Sequence, residues 1–196
     1  RLPAIPVPDI TTENGRRLLT AHIDGDGFPT RAELPGSPLA SRVLLEDILQ
    51  RYRIPHAMSV IEAEVAPHGL YPELSAEMED IARRMFALPH VEIASHTFSH
   101  PFRWDNTVKH GIFKDADADE SYHLAVPGYH LDLTREIVGS MNYVQTRLAP
   151  PDKTASLLLW SGDTAPGAEA LGIVAAAGFL NMNGGDTQIT RSNPSL

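Results

Sequence analysis

Short apolar runs alternate along the chain with longer segments whose apolar residues recur every three to four positions. Arg17-Leu18-Leu19-Thr20-Ala21 reads as a strand entering a buried sheet. From Ser41 to Arg53, the residues Val43, Leu44, Leu45, Ile48, Leu49 and Tyr52 form a helical stripe. His56 to Glu62 (HAMSVIE) is a second strand. Ser75 to Leu88 is a helix, with Ser75 placed to cap it and Met78, Ile81, Ala82 and Met85 on one face. Val91 to Ser95 is a third strand. Asp132 caps a helix reaching about Leu148, with Ile137, Val138, Met141, Val144 and Leu148 inward, and Pro150-Pro151 stops it. Ser156 to Trp160 (SLLLW) is apolar on both faces, which points to a parallel strand covered on both sides. Thr164 and Pro166 open a helix running to Gly178, and Phe179 to Met182 is a fifth strand. Strands alternating with helices predict an α/β fold, with functional loops at the C-terminal ends of the strands.

The segments between these elements set the domain plan. Residues 1–16 carry three prolines and several turn formers, so they read as a linker or an extended lead-in strand, with one domain over 17–196. Pro29 to Pro38 is irregular, and a polar insertion from about Phe102 to His130 holds the acidic run Asp115 to Glu120, a solvated loop. At 196 residues, 42% hydrophobic and 21% charged, the chain has the composition of one ordinary globular domain. A formal net charge of −9 argues against general affinity for nucleic acid or an anionic membrane. With no cysteine there is no disulfide, thiolate metal site or Cys nucleophile. No apolar run approaches the roughly 18 residues of a membrane span, so no membrane insertion is expected, and no signal peptide is visible. The chain opens on Arg1 rather than Met, as expected of a processed product or a piece of something longer.

Two stretches carry candidate chemistry. His22-Ile23-Asp24-Gly25-Asp26-Gly27-Phe28 follows the first strand, and strand parity lets Asp24 and Asp26 face the same side. Carboxylates this close repel unless a metal, a cation or a shared proton compensates; the alternative is an ordinary Asp-Gly surface turn. Ser95-His96-Thr97-Phe98-Ser99-His100-Pro101 follows the third strand, and imidazoles four residues apart can meet one metal ion. With nine histidines, about 0.4 such pairs arise by chance, so the spacing counts only in context. That context is the shared end of a parallel sheet. It offers Asp, His, His and a spare carboxylate, a donor set suited to Zn²⁺ with an open position.

In spacing and setting these motifs resemble those of the NodB-type polysaccharide deacetylases of carbohydrate esterase family four. The resemblance covers about residues 18–187. It implies a distorted (β/α) barrel, here partly incomplete, with Asp24 as catalytic base and Asp26, His96 and His100 as metal ligands. The implied ion is most simply Zn²⁺, with Co²⁺ or Ni²⁺ as alternatives. The family's acidic pair is adjacent, whereas Gly25 intervenes here. The variants IDGDGF, SHTFSHPF and WSGDTAPGAEAL are similar to deacetylase domains that modify the Pel exopolysaccharide. The later motifs match less well. Ser161 to Gly167 stands where the family has an arginine-bearing loop and contains no arginine, although Asp163 can line the site or cap the next helix. Asp186 falls in the fourth motif, and the general-acid histidine of the fifth would lie beyond Leu196.

The implied reaction is metal-assisted hydrolysis of an acetamide on an N-acetylhexosamine polymer rich in N-acetylgalactosamine. The implied setting is the periplasm, with an export-assembly protein as a further partner. Trp104 and Phe102 are expected either to stack on a sugar ring or to anchor their loop. His22 is expected to assist Asp24 or to pack in the core, and the remaining histidines to be solvated or structural. Two rival readings stay open: a glycoside hydrolase using Asp24 and Asp26 as paired carboxylates, and a non-catalytic polysaccharide-binding or export-scaffold module.

Overall fold

A computed structural model of the protein describes residues 21–104 and 123–183. Five strands, β1 Ala21–Ile23, β2 His56–Val60, β3 Val91–Ser95, β4 Leu157–Leu159 and β5 Leu180–Met182, form one sheet in the order β1-β2-β3-β4-β5. Every pairing is parallel, with His56 opposite Ala21 and Val91, Leu157 opposite Ala94, and Leu180 opposite Leu157. Parallel neighbours require crossover connections, and these are right-handed almost without exception. A strand order that never reverses therefore winds one way. The sheet is a curled half-barrel rather than a doubly wound sheet with a switch point. The α/β class expected from the alternation is present; Arg17 to Thr20 lie outside the described residues, and the described part of the first strand covers Ala21–Ile23.

The helices follow the apolar stripes, with informative exceptions. Helix α1 begins at Ala40–Val43 and continues as a wider turn through Leu44–Leu49, where the Gln50 amide reaches back five residues to the Leu45 carbonyl. It buries Leu45 and Leu49 but leaves Ile48 and Tyr52 exposed, so its apolar stripe is narrower than the sequence suggests. A single-turn helix, α2 Glu62–Val65, takes the last residue of the expected second strand. Helix α3, Ser75–Phe86, buries Met78, Ile81, Ala82 and Met85 as its periodicity predicts. Ser75 is not its cap. It lies inside the first turn, and its hydroxyl donates to the Val65 carbonyl at 2.7 Å, tying α3 to α2. Helix α4 consists of three consecutive pieces, Arg135–Gly139, Ser140–Tyr143 and Val144–Leu148. Asp132 receives the Arg135 amide at 2.7 Å, the expected cap. Helix α5, Ala168–Ala177, ends at Gly178 in the left-handed conformation.

The larger of two apolar clusters among the described residues joins the sheet to its helices. Met58 and Val60 of β2, Val91 and Ile93 of β3 and Leu158 of β4 meet Leu45, Leu49, Met78, Ile81, Met85, Phe86, Ile137, Met141 and Val144 of the helices. The strands' C-terminal ends emerge from this packed base, and the loops that follow β1, β3 and β4 converge there.

Candidate metal centre

The loop after β1 leaves the sheet at Asp24 and turns across the end of β2. A Cβ on Gly25 would lie 2.8 Å from the Ile61 amide nitrogen and 2.9 Å from the backbone of Val60, contacts that no side chain tolerates. The residue between the two acids therefore has to be glycine, because here the chain runs against the neighbouring strand. Asp26 then stands beyond this crossing, over half exposed, and Asp24 is half-buried.

The loop after β3 is more tightly constrained. Thr97 and His100 both adopt left-handed backbone angles (φ 74° and 54°), costly for non-glycine residues and especially for a β-branched one. Every amide from His96 to His100 nonetheless has an acceptor. His96 donates to the Val60 carbonyl (2.9 Å), Thr97 to Ser95 Oγ (3.1 Å), Phe98 and Ser99 to Glu136 Oε2 (2.9 and 2.8 Å), and His100 to Thr97 Oγ1 (3.1 Å). The carbonyls of Thr97 and Phe98 receive the amides of Glu62 and Ala63 at the start of α2. Both imidazoles are buried, and their rings meet edge to face at 5.1 Å between centroids.

Asp26, His96 and His100 converge, with one donor atom from each lying within 4.8 Å of the others. His100 Nε2 is 3.0 Å and His96 Nε2 3.5 Å from Asp26 Oδ1. The hydrogen bond to His100, with the His96 imidazole close by and against partial burial, holds the Asp26 carboxyl well below the usual carboxylate range. His96 Nδ1 faces the Leu159 carbonyl at 3.0 Å, and because a carbonyl only accepts, the proton sits on Nδ1 and Nε2 keeps its lone pair. That Nε2 is buried with no hydrogen-bond partner among the described residues. An orphaned imidazole lone pair aimed at a carboxylate and a second imidazole fits a divalent ion. Tetrahedral coordination at ligand distances near 2.0–2.1 Å places donor atoms about 3.3 Å apart, between the 3.0 and 3.5 Å that separate Asp26 Oδ1 from the two imidazoles.

Two cavities meet at Asp26 and His100. One, about 140 Å³, is also bounded by Asp24, His96, Trp160, Ser161, Gly162 and Thr164. The other, about 160 Å³, adds Gly27, Ile61, Phe102, Leu124 and Glu64. Glu64 is buried and its Oε2 has no hydrogen-bond partner among the described residues. Burial, reinforced by the Asp26 charge and eased by His100, pushes its carboxyl up to about 7. The two carboxyls on this cavity are thus driven in opposite directions.

Of the expected site residues, Asp24, Asp26, His96 and His100 are brought together on the cavity of about 140 Å³. Trp104 is not offered as a stacking surface. It is buried, donates to the Ser161 carbonyl at 2.9 Å and packs edge to face on Trp160, so it anchors its loop. Phe102 remains 39% exposed against the His100 ring. Asp163 receives the Ala165 amide and its own amide donates to the Phe102 carbonyl, so it holds the loop while Ser161, Gly162 and Thr164 line the cavity. Gly162 permits this contact, since a Cβ there would lie 2.5 Å from Pro101 and Phe102 backbone atoms. His22 is exposed on β1, neither packed nor beside Asp24's cavity. Asp186 and His110 lie outside the described residues. His56, His68, His90 and His123 bond to protein oxygens, as expected of structural histidines.

The sequence reading missed Glu64 and Glu136. Glu136 had one visible signal: Glu136, Ser140 and Tyr143 fall at i, i+4 and i+7 beside the apolar stripe of α4, a second line that is buried as well. No protein-family profile, curated protein or solved structure matches the chain.

Proposed function

We propose that the protein is a metal-dependent polysaccharide N-deacetylase of the NodB type, acting on an N-acetylhexosamine-rich exopolysaccharide of the Pel kind in the periplasm, beside an export-assembly partner. The observation that carries the reading is the joint placement of Asp26, His96 and His100, with the second carboxylate, Asp24, on the same cavity. Asp26, His96 and His100 would hold the ion, and a divalent ion there supplies Lewis-acid activation of an amide carbonyl and of water. Asp24, outside the ligand group, takes the proton from the attacking water. The His96 Nδ1–Leu159 bond keeps the ligand tautomer in place through the cycle. Asp26 is engaged by both histidines, which disfavours the paired-carboxylate glycosidase, since neither role there calls for imidazoles.

The test measures acetate and reducing ends released from N-acetylgalactosamine oligomers by the zinc-loaded protein. Asp24→Asn should keep the ion and lose acetate release by roughly 10²–10⁴-fold, the usual contribution of a general base. His96→Ala should lose the ion itself. An Asp24→Asn protein that no longer binds zinc would make Asp24 a ligand. Reducing ends without acetate would support the glycosidase, and neither product from a zinc-loaded protein would leave a binding module.

A further inference from the structure

The two ligand histidines sit on a loop whose backbone is strained at Thr97 and His100, and strain of this kind persists only where the surroundings over-determine it. Glu136 supplies much of that determination. Its carboxylate is fully buried in α4 and receives four hydrogen bonds. The Phe98 and Ser99 amides bond Oε2, and the Ser99 hydroxyl and the Tyr129 hydroxyl bond Oε1, the latter at 2.8 Å. Three of the four come from residues lying between His96 and His100. The neighbouring side chain completes the frame from the same helix. Arg135 places its guanidinium 3.9 Å from the centre of the Phe98 ring and forms a two-pronged ion pair with the buried Glu62 at 2.6 and 2.8 Å. Glu62 in turn donates its amide to the Thr97 carbonyl and receives His68 at 3.0 Å.

We infer that Glu136 is a positioning residue that sets the spacing of the His96 and His100 imidazoles for a shared ion. The inference rests on the metal-centre reading above and adds to it a group that touches neither ion nor substrate. No neutral side chain reproduces its role. A glutamine can keep one oxygen on the two amides, but it turns an NH₂ toward the Ser99 and Tyr129 hydroxyls, which must reverse to accept it, and it removes the charge that strengthens all four bonds. Loss of a group that orients ligands typically lowers metal affinity 10- to 100-fold.

The experiment titrates Co²⁺ and Zn²⁺ into the wild type, Glu136→Gln, Glu136→Asp and Glu79→Gln, with the visible Co²⁺ spectrum, far-UV circular dichroism and amide exchange recorded for each. Glu79 is the control: a buried carboxylate bound by Arg83, Arg147 and the Tyr143 hydroxyl, with no bond to the histidine loop. Glu136→Gln should bind Co²⁺ 10- to 100-fold more weakly with a shifted spectrum. It should also lose exchange protection at Phe98 and Ser99 while β2 and β3 keep theirs. Glu136→Asp, which keeps the charge but withdraws it by one methylene, should recover part of the affinity. Glu79→Gln should lose stability and leave affinity and spectrum unchanged. Wild-type affinity and spectrum in any folded Glu136 variant would overturn the inference alone, and should Glu136→Gln not fold, Glu136→Asp decides in its place. A wild type that takes up neither ion overturns the metal reading beneath it.

Discussion

At the scale of single residues, two carboxyls near the same imidazoles are driven in opposite directions. Asp26 is pulled down by His100 and His96, while burial raises Glu64 to about 7 from an ordinary 4.5. A carboxyl whose folded pKa is raised stabilises the fold fully below its unfolded pKa, and that stability is lost as pH climbs toward the folded value. Between pH 4.5 and 7 the folded protein holds a proton that the unfolded chain has released, so stability should fall with pH. The whole loss is on the order of 3 kcal/mol, at about 1.4 kcal/mol per pH unit. Glu64→Gln should lack this fall, and urea denaturation across that range in EDTA measures it as the difference between the two proteins. Parallel stability curves would show that Glu64 ionises freely in the folded state.

At the scale of elements, the turn from β1 and the end of β2 share a space that only a glycine leaves open. Gly25→Ala should cost about 1–3 kcal/mol, the usual penalty of overpacking, because its Cβ would press on backbone rather than on a side chain that can move. Since Asp24 and Asp26 flank this position, zinc affinity should fall with it. Gly172, inside α5, has open space where a Cβ would point, so Gly172→Ala should raise stability by about 0.5–1 kcal/mol. Denaturant midpoints of the two variants on either side of the wild type would bear out this difference; a shift in the same direction for both would refute it. The glycine between the two acids thus has a local steric cause.

At the scale of the whole molecule, the three residues that could hold an ion come from separate β/α units, Asp26 after β1 and His96 and His100 after β3, and the β4 unit braces them. Leu159 fixes the His96 tautomer, and Ser161 donates to the Pro101 carbonyl at 2.8 Å. An ion held by Asp26 and both histidines ties these units together only in the folded state. Zinc at a hundred times its Kd should add about 2.7 kcal/mol. For a domain of this size that is a rise in Tm of about 5–10 °C. EDTA should abolish the rise, and Asp26→Ala or His96→Ala should never show it. A Tm indifferent to zinc in calorimetry would mean that the folded protein does not bind the ion there.

The alternation of apolar runs and helical stripes determined the α/β class, and the parallel strand at SLLLW followed from residues apolar on both faces. Met78, Ile81, Ala82 and Met85 were legible because a helix repeats its buried face at a fixed period. His-x-x-x-His and Asp-x-Asp were legible because each lies within one short loop, where spacing alone constrains what can meet. Tertiary structure decided the rest. That Asp26 reaches His96 and His100 depends on the parallel sheet carrying both loops to one end. That Trp104 is an anchor depends on Ser161 and Trp160, more than fifty residues away. Glu64 carries no local mark in the sequence, and Glu136 only its place beside the apolar stripe of α4, because a carboxylate is set apart chiefly by the packing that buries it. Their environments, a cavity shared with Asp26 in one case and the amides of a strained loop in the other, exist only once distant segments have packed.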